Sequence, residues 1–116
     1  MRSAPQQRGD HYEQQALTYL QQQGCRLLQR NFRCKVGEID LIMELGEQLL
    51  FIEVRYRHTL SHGTSAATVT RNKQQKLIRA AKFWLQYHPM NRPCRFDVIA
   101  IDGGDLNWIQ HAFEAS

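Results

Sequence analysis

Two apolar runs, GEIDLIMEL over residues 37–45 and QLLFIEVRYR over residues 48–57, each carry a carboxylate near the middle, Asp40 in the first and Glu53 in the second. Gly46-Glu47 lies between them, and glycine at the first central position suits a two-residue type II′ hairpin turn. With Leu45 opposite Gln48, paired residues sum to 93, so Asp40 falls opposite Glu53 and Glu38 opposite Arg55. Alternation then puts Glu38, Asp40 and Ile42 on one face with Phe51, Glu53 and Arg55. The other face, Ile39, Leu41 and Met43 with Leu50, Ile52 and Val54, is wholly apolar and is the expected core side.

Carboxylates paired in this way stand about 4.5–5.5 Å apart at Cβ and repel each other. A shared proton, a cationic neighbour or a divalent metal resolves the repulsion. Mg²⁺ takes oxygen ligands and is commonly held by one or two carboxylates plus water and phosphate oxygens. A metal on Asp40 and Glu53, with the Val54 carbonyl as a further ligand, acidifies water and neutralises charge on a scissile phosphate. A cation at residue 55 then steadies the attacking water or the charged transition state. Against this stands a plainer reading, in which Arg55 pairs with Glu38 or with the acids in an ion-pair network on a half-exposed sheet. The spacing leaves both open.

The charge distribution bears on the choice. The net charge is +4, and from Val54 to Phe96 there is no Asp or Glu, while the same window holds Arg55, Arg57, Arg71, Lys73, Lys76, Arg79, Lys82, Arg92 and Arg95. A one-sign block of this length is expected to face phosphate, with Arg57, Arg71, Lys73, Lys76 and Arg79 as the nucleic-acid-binding candidates. Its alternative is a solvated basic helix with no partner. Tyr56 and Arg57 either touch a nucleic-acid backbone or cap the strand end.

The elements that must hold these residues follow from periodicity. Residues 1–9, rich in Gln, Arg and Ser, are expected to form a flexible tail. Asp10 is expected to cap a helix from about His11, with Ala16, Leu17 and Leu20 as its apolar stripe, flanked by Tyr12 and Tyr19, and Gly24 just past its end. A loosely bounded strand over residues 25–33 precedes the two acid-bearing strands. A mobile Ser/Thr/His/Gly loop spans 58–69. A helix over 71–87 is capped by Thr70 or Thr68 and buries Leu77, Ala80, Ala81, Trp84 and Leu85. His88-Pro89 ends it. A strand over 94–101 follows, then the turn Asp102-Gly103-Gly104-Asp105 and a short final strand over 106–109. The order α-β-β-β-α-β, with one further strand, predicts a single α/β domain, a mixed sheet flanked by helices.

Composition narrows the class further. A chain of 116 residues is one domain's worth. No stretch is apolar for the roughly 18 residues of a membrane span. The polar start carries no signal-peptide core, so a cytoplasmic protein is expected. Cys25, Cys34 and Cys94 fit neither a disulfide framework nor a zinc knuckle. His58 and His62 lie in a loop without further ligands, which argues against zinc. Asp97 reads as a structural partner of Arg95 or Arg55. Phe83, Trp84 and Trp108 read as packing residues.

The ordered set GEIDLI at 37–42, FIEVR at 51–55, Lys73-Gln74 and RFDV at 95–98 resembles the YraN family, an uncharacterised bacterial group of the PD-(D/E)XK nuclease-like superfamily. The resemblance runs from about Gly9 to Asp102. It implies a restriction-endonuclease-like core similar to archaeal Holliday-junction resolvases. It further implies a metal site of Glu13, Asp40 and Glu53 for Mg²⁺ or Mn²⁺, and a catalytic set of Asp40, Glu53 and position 55. Gln74 or Lys73 on the following helix supports that set. The sequence departs from the pattern at position 55, where Arg55 stands in place of lysine. A guanidinium can orient phosphate but cannot serve as general base, and Lys73 is the candidate substitute. Three functions are thereby expected to compete: an endonuclease on structured or branched DNA, a nucleic-acid-binding module on the same fold with cleavage weakened or lost, and a protein-interaction domain. A homodimer fits the first.

Overall fold

A computed structural model describes residues 3–58 and 64–115. The elements run α1 (Ala4–Gln22), β1 (Arg26–Cys34), β2 (Gly37–Leu45), β3 (Gln48–Arg57), a 3₁₀ turn (Ser65–Thr68), α2 (Arg71–Tyr87), β4 (Cys94–Asp102) and β5 (Asp105–Phe113). The five strands form one sheet in the order β1-β2-β3-β4-β5. All neighbours are antiparallel except β3 and β4, which are parallel. A parallel pair cannot be joined by a tight turn, so α2 is the crossover. The architecture is the α/β mixed sheet flanked by helices that the sequence predicts, with the final strand longer than expected.

Two starting points differ. Helix α1 begins at Ala4 rather than near His11, because Ser3 caps it. The Ser3 hydroxyl accepts from the Gln6 N–H, and the Gln6 side chain accepts from the Ser3 N–H at 2.9 Å. This reciprocal box satisfies helix-end donors without any apolar signal, so the stretch read as a tail is helical from residue 4 onward. The loop read as mobile contains the 3₁₀ turn, pinned to the end of β4: Asp102 accepts from the Ser65 N–H at 2.7 Å and from its hydroxyl at 3.0 Å. His62 lies outside the described residues.

The β2–β3 hairpin keeps the expected register, from Leu45↔Gln48 to Leu41↔Ile52. Gly46 has φ 59° and Glu47 has a negative φ, as a type II′ turn requires. Arg92 clamps the turn, donating to the carbonyls of Glu47 and Gly46 at 3.0 and 2.9 Å. Both sheet faces are core, not one. Leu41, Met43, Leu50, Ile52 and Val54 meet Ala16, Leu17 and Leu20 of α1, together with Ile99 and Ile101. On the opposite face Ile42 and Phe51 meet Leu77, Ala80, Ala81 and Trp84 of α2. Ile39 belongs to the α2 side, not with Leu41 and Met43. The alternation slips at Asp40, beside Asn31 of β1, which takes φ 53° between the pairs Arg30↔Leu41 and Phe32↔Ile39.

Asp97, 1% exposed, anchors β4. It receives Arg95 bidentately at 2.9 Å, the Trp108 indole N–H at 2.8 Å and the His111 backbone N–H at 2.9 Å. Four donors compensate the burial of one charge. Asp97 is thus structural, with Arg95 as its partner, and Trp108 packs edge-on to Tyr19. The three cysteines are free, and burial pushes the Cys25 and Cys94 thiols up, which favours the inert form. No helix among the described residues is long and apolar enough to cross a membrane.

Gly37 opens β2 with φ 156°, and a Cβ there would lie 3.1 Å from the Lys76 carbonyl oxygen of α2. Backbone cannot yield as a flexible side chain does. Gly37→Ala is expected to cost about 1–3 kcal/mol in urea unfolding; an unchanged midpoint would show that α2 is not held against the β1–β2 turn.

Candidate functional site

The ladder between β2 and β3 stops at Leu41↔Ile52. One step further the strands part, and Asp40 Oδ2 accepts the Val54 N–H at 2.8 Å. A side-chain carboxylate takes the place of a strand carbonyl. Asp40 and Glu53 are therefore not a laddered pair, as the simple register implies, but they remain in mutual contact across the gap. Burial, and after it the charge and hydrogen bond of Glu53, hold the Asp40 carboxyl well above its usual range; the Val54 N–H and Lys73 pull it part of the way back.

Glu53 is 4% exposed, because β3 is central, between β2 and β4. Two cations reach it. Lys73, in the first turn of α2, brings Nζ to 3.3 Å of Glu53 Oε2, and Arg55 brings Nη1 to 3.8 Å of the same oxygen. Arg55 is fixed by Thr68, which does not cap α2 (Thr70 does) but accepts from the Arg55 Nε at 2.7 Å. Glu38, expected opposite Arg55, pairs instead with Arg33 at 3.5 Å.

Glu13 sits behind Asp40 on α1 and is also buried, with 8% exposure. Its carboxyl is raised by burial and by the charge of Asp40, and lowered by Arg30. Arg30 Nε and Nη2 both donate to Glu13 Oε1, at 3.3 and 3.2 Å, and its Nη1 donates to Gln14 at 3.0 Å. Glu13 thus feels Asp40 without closing a three-acid cage. Among the described residues, no three of His, Cys, Asp and Glu gather tightly enough to hold a metal by themselves. Gln74 donates to the Val69 carbonyl at 3.2 Å, tying the 3₁₀ turn to α2.

The donor set at the gap is all oxygen, from Asp40 and Glu53, and it already accommodates the Lys73 ammonium. That chemistry fits a hard cation such as Mg²⁺ or Mn²⁺, whose remaining positions fall to water and phosphate oxygens. Cavities open on both sides. On the α1 side a groove of 1010 Å³ is floored by Ile39, Asp40 and Val54. On the α2 side a cavity of 370 Å³ is lined by Glu53, Thr70, Asn72, Lys73 and Lys76.

Of the basic candidates, Arg71, Lys76 and Arg79 are exposed along α2, and Lys73 is half-buried at the acids. Arg57 ends β3, and its Nε is buried without a partner among the described residues. Arg92 and Arg95 are engaged structurally and do not face outward as phosphate ligands. Tyr56 stacks on Tyr12 at 4.2 Å. His58 lies against Arg8 at 3.2 Å and the Tyr12 hydroxyl at 3.3 Å. The pairings of Arg30 with Glu13 and of Thr68 with Arg55 join residues 17 and 13 apart on different elements. No periodic signal marks such contacts.

The raised Asp40 carboxyl couples stability to pH. A carboxyl raised in the fold favours folding below its unfolded value of 3.8. That contribution is lost as pH climbs through the raised value, where the buried charge becomes a cost. Asp40→Asn keeps an acceptor for the Val54 N–H and removes the charge. In EDTA at pH 7 it is expected to melt above the wild type, about 4 °C for each kcal/mol gained, with the difference vanishing below pH 4. Equal melting at pH 7 would mean that Asp40 carries no such cost.

The model of the uncharacterised protein family UPF0102 matches residues 12–101. A UPF0102 protein of Herminiimonas arsenicoxydans is 53% identical over 114 residues, covering 98% of this chain and 92% of its own. One of Janthinobacterium sp. (strain Marseille) is 53% identical, covering 98% and 93%. One of Aeromonas hydrophila is 52% identical, covering 96% and 87%. The match takes in the second half of α1, the first three strands, α2 and all but the last residue of β4, with Glu13, Asp40, Glu53 and Lys73 inside it, and the chain belongs to the uncharacterised protein family UPF0102, the YraN family.

Proposed function

We propose that this protein binds nucleic acid along the exposed face of α2 and hydrolyses phosphodiester bonds at the Asp40–Glu53 gap, as a metal-dependent endonuclease of the PD-(D/E)XK kind acting on structured or branched DNA in the cytoplasm. The observation that carries this reading is the gap itself: two contacting carboxylates, one held well above its usual range, with Lys73 at 3.3 Å. A fold does not keep a costly acid pair at a cavity mouth for stability. Mg²⁺ or Mn²⁺ held by Asp40 and Glu53 would supply charge neutralisation at the phosphodiester and acidify water.

The chain's own residues divide the remaining work. Arg71, Lys76 and Arg79 attract the phosphate backbone and set its direction along α2. Lys73 stands at Glu53 as an ammonium at 3.3 Å and would hold the attacking water by donating to it. Arg55, fixed by Thr68, steadies negative charge as it develops on phosphate oxygens. Glu13, paired with Arg30, adds negative charge near Asp40. A second reading, a binding module that does not cut, is favoured by one observation: Arg55 is tied to Thr68 and its guanidinium cannot act as a base.

Linear, single-stranded, flapped and four-way-junction DNAs, incubated with Mg²⁺, Mn²⁺ or EDTA, test both. Metal-dependent cutting is expected, reduced about 100-fold or more in Asp40→Asn while binding persists. Salt-sensitive binding without any cutting would move the conclusion to the binding module. Lys76→Ala with Arg79→Ala is expected to flatten the dependence of log K on log salt by roughly 2 units; an unchanged slope would remove α2 from the interface.

A further inference from the structure

The acid pair stands at the first turn of α2, and the last turn of the same helix carries a side chain that this site does not use. Among the described residues the exposed large hydrophobic side chains are Val36, Tyr87 and Met90, and Tyr87 keeps 69% of its surface in solvent. A single exposed tyrosine needs no explanation. This one ends an ordered stripe. Successive helix residues turn by about 100°, so Lys76, Phe83 and Tyr87 fall within about 20° of one line along α2, with Arg79 beside it. Phe83 packs against Phe32 of β1 at 6.3 Å and against Tyr87 at 5.3 Å, the latter with ring planes at 47°. One side of the Tyr87 ring is thereby propped, and the exposure of the residue leaves the other side open to a ligand.

The surroundings are of one charge. Helix α2 carries no Asp or Glu. Lys76, Arg79 and Lys82 are exposed and form no ion pair among the described residues. Beside the stripe, at the β1–β2 turn, a cavity of 380 Å³ is lined by Lys35, Val36 and Lys76, and the acid that borders it, Glu38, is already paired with Arg33 at 3.5 Å.

An anion is drawn to such a face, and an open aromatic ring at its end favours an anion that also carries a flat ring. The core of a protein interface is depleted of lysine. A nucleic-acid strand, by contrast, is held by cations that track its phosphates and by aromatic rings on which its bases stack. Inside a duplex both faces of every base are already stacked, so the base offered to Tyr87 is an unpaired one. The spacing agrees. At 1.5 Å per residue, Tyr87 lies about 16 Å along the axis from Lys76 and about 21 Å from Lys73. Those lengths are roughly five and six steps of a stacked strand at 3.4 Å each, so one strand can reach the acids, the cations and the ring together.

We propose that Tyr87, propped by Phe83, is a stacking platform for an unpaired base of a nucleic-acid strand whose phosphates lie on Lys76 and Arg79. This rests on the nucleic-acid reading above and adds a contact to a base, where the cations contact phosphate alone.

The test measures binding by fluorescence anisotropy in EDTA, so that no cutting intervenes. The probes are a deoxythymidine strand, roughly twelve nucleotides long to exceed the span from Lys73 to Tyr87, and a strand of equal length and charge in which every site is abasic. The two differ in their bases alone. The wild type is expected to bind the thymidine strand about 10-fold more tightly, the size of one stacked base. Tyr87→Leu removes the ring and is expected to bring the thymidine strand down to the abasic level, with the abasic strand bound as before. Tyr87→Trp restores a ring and is expected to keep the preference. Both variants are expected to melt with the wild type, because the side chain lies largely in solvent. Lys76→Ala with Arg79→Ala is expected to weaken both probes alike. Equal binding of the two strands by the wild type, or a preference that survives Tyr87→Leu, would overturn the platform while leaving phosphate binding on α2 standing. Sedimentation of the wild type as a dimer that Tyr87→Leu dissociates would overturn it in favour of a contact between copies of the chain. Absence of binding to either strand would overturn the platform and the nucleic-acid reading together.

Discussion

One hydrogen bond, from the Val54 N–H to Asp40 Oδ2, replaces the next rung of the β2–β3 ladder. A backbone donor at that depth must be satisfied, and satisfying it with a carboxylate lets the strands separate without an orphan. The separation opens the edge of a buried sheet to solvent and keeps Asp40 against Glu53. Without that exchange the strands would pair one residue further and the gap would close. The energetic tension of the site and its accessibility thus have a single origin.

The rest of the sheet is built to tolerate that opening. Phe51, Phe96 and Phe113 stack in succession across β3, β4 and β5 at 5.5 and 5.0 Å. Asp97 ties β4 to β5 through two donor residues, Trp108 and His111. On the other flank the β2–β3 turn is clamped by Arg92. The gap therefore lies between two stiffened regions, a turn at one end and a three-strand slab beside it, and its geometry is set by residues that touch no substrate.

Much of this is legible in the sequence where the physics is local. The hairpin register follows from Gly46 and from alternation, and the bounds of α2 follow from Thr70 and from His88-Pro89. The acid pair and the basic helix are read from residue type and position alone. What escapes is non-local or apolar-silent. The start of α1 depends on Ser3 and Gln6, whose polarity looks like a tail until the capping geometry is known. The face of Ile39 depends on the left-handed turn of Asn31 one strand away. Arg30 at Glu13, Thr68 at Arg55 and Gln74 at the Val69 carbonyl are decided when separate elements pack.

The outer strand β5 carries a consequence of its own. Its pairing with β4 slips between Phe96 and Val98, and His111 takes φ 52° with its N–H turned inward to Asp97. A flat outer strand offers a regular row of peptide groups to any passing chain, whereas a bulged one is twisted out of register with a would-be neighbour. The buried charge of Asp97 therefore acts at a distance from the gap: by drawing one edge amide inward, it breaks the regular row of peptide groups along this edge.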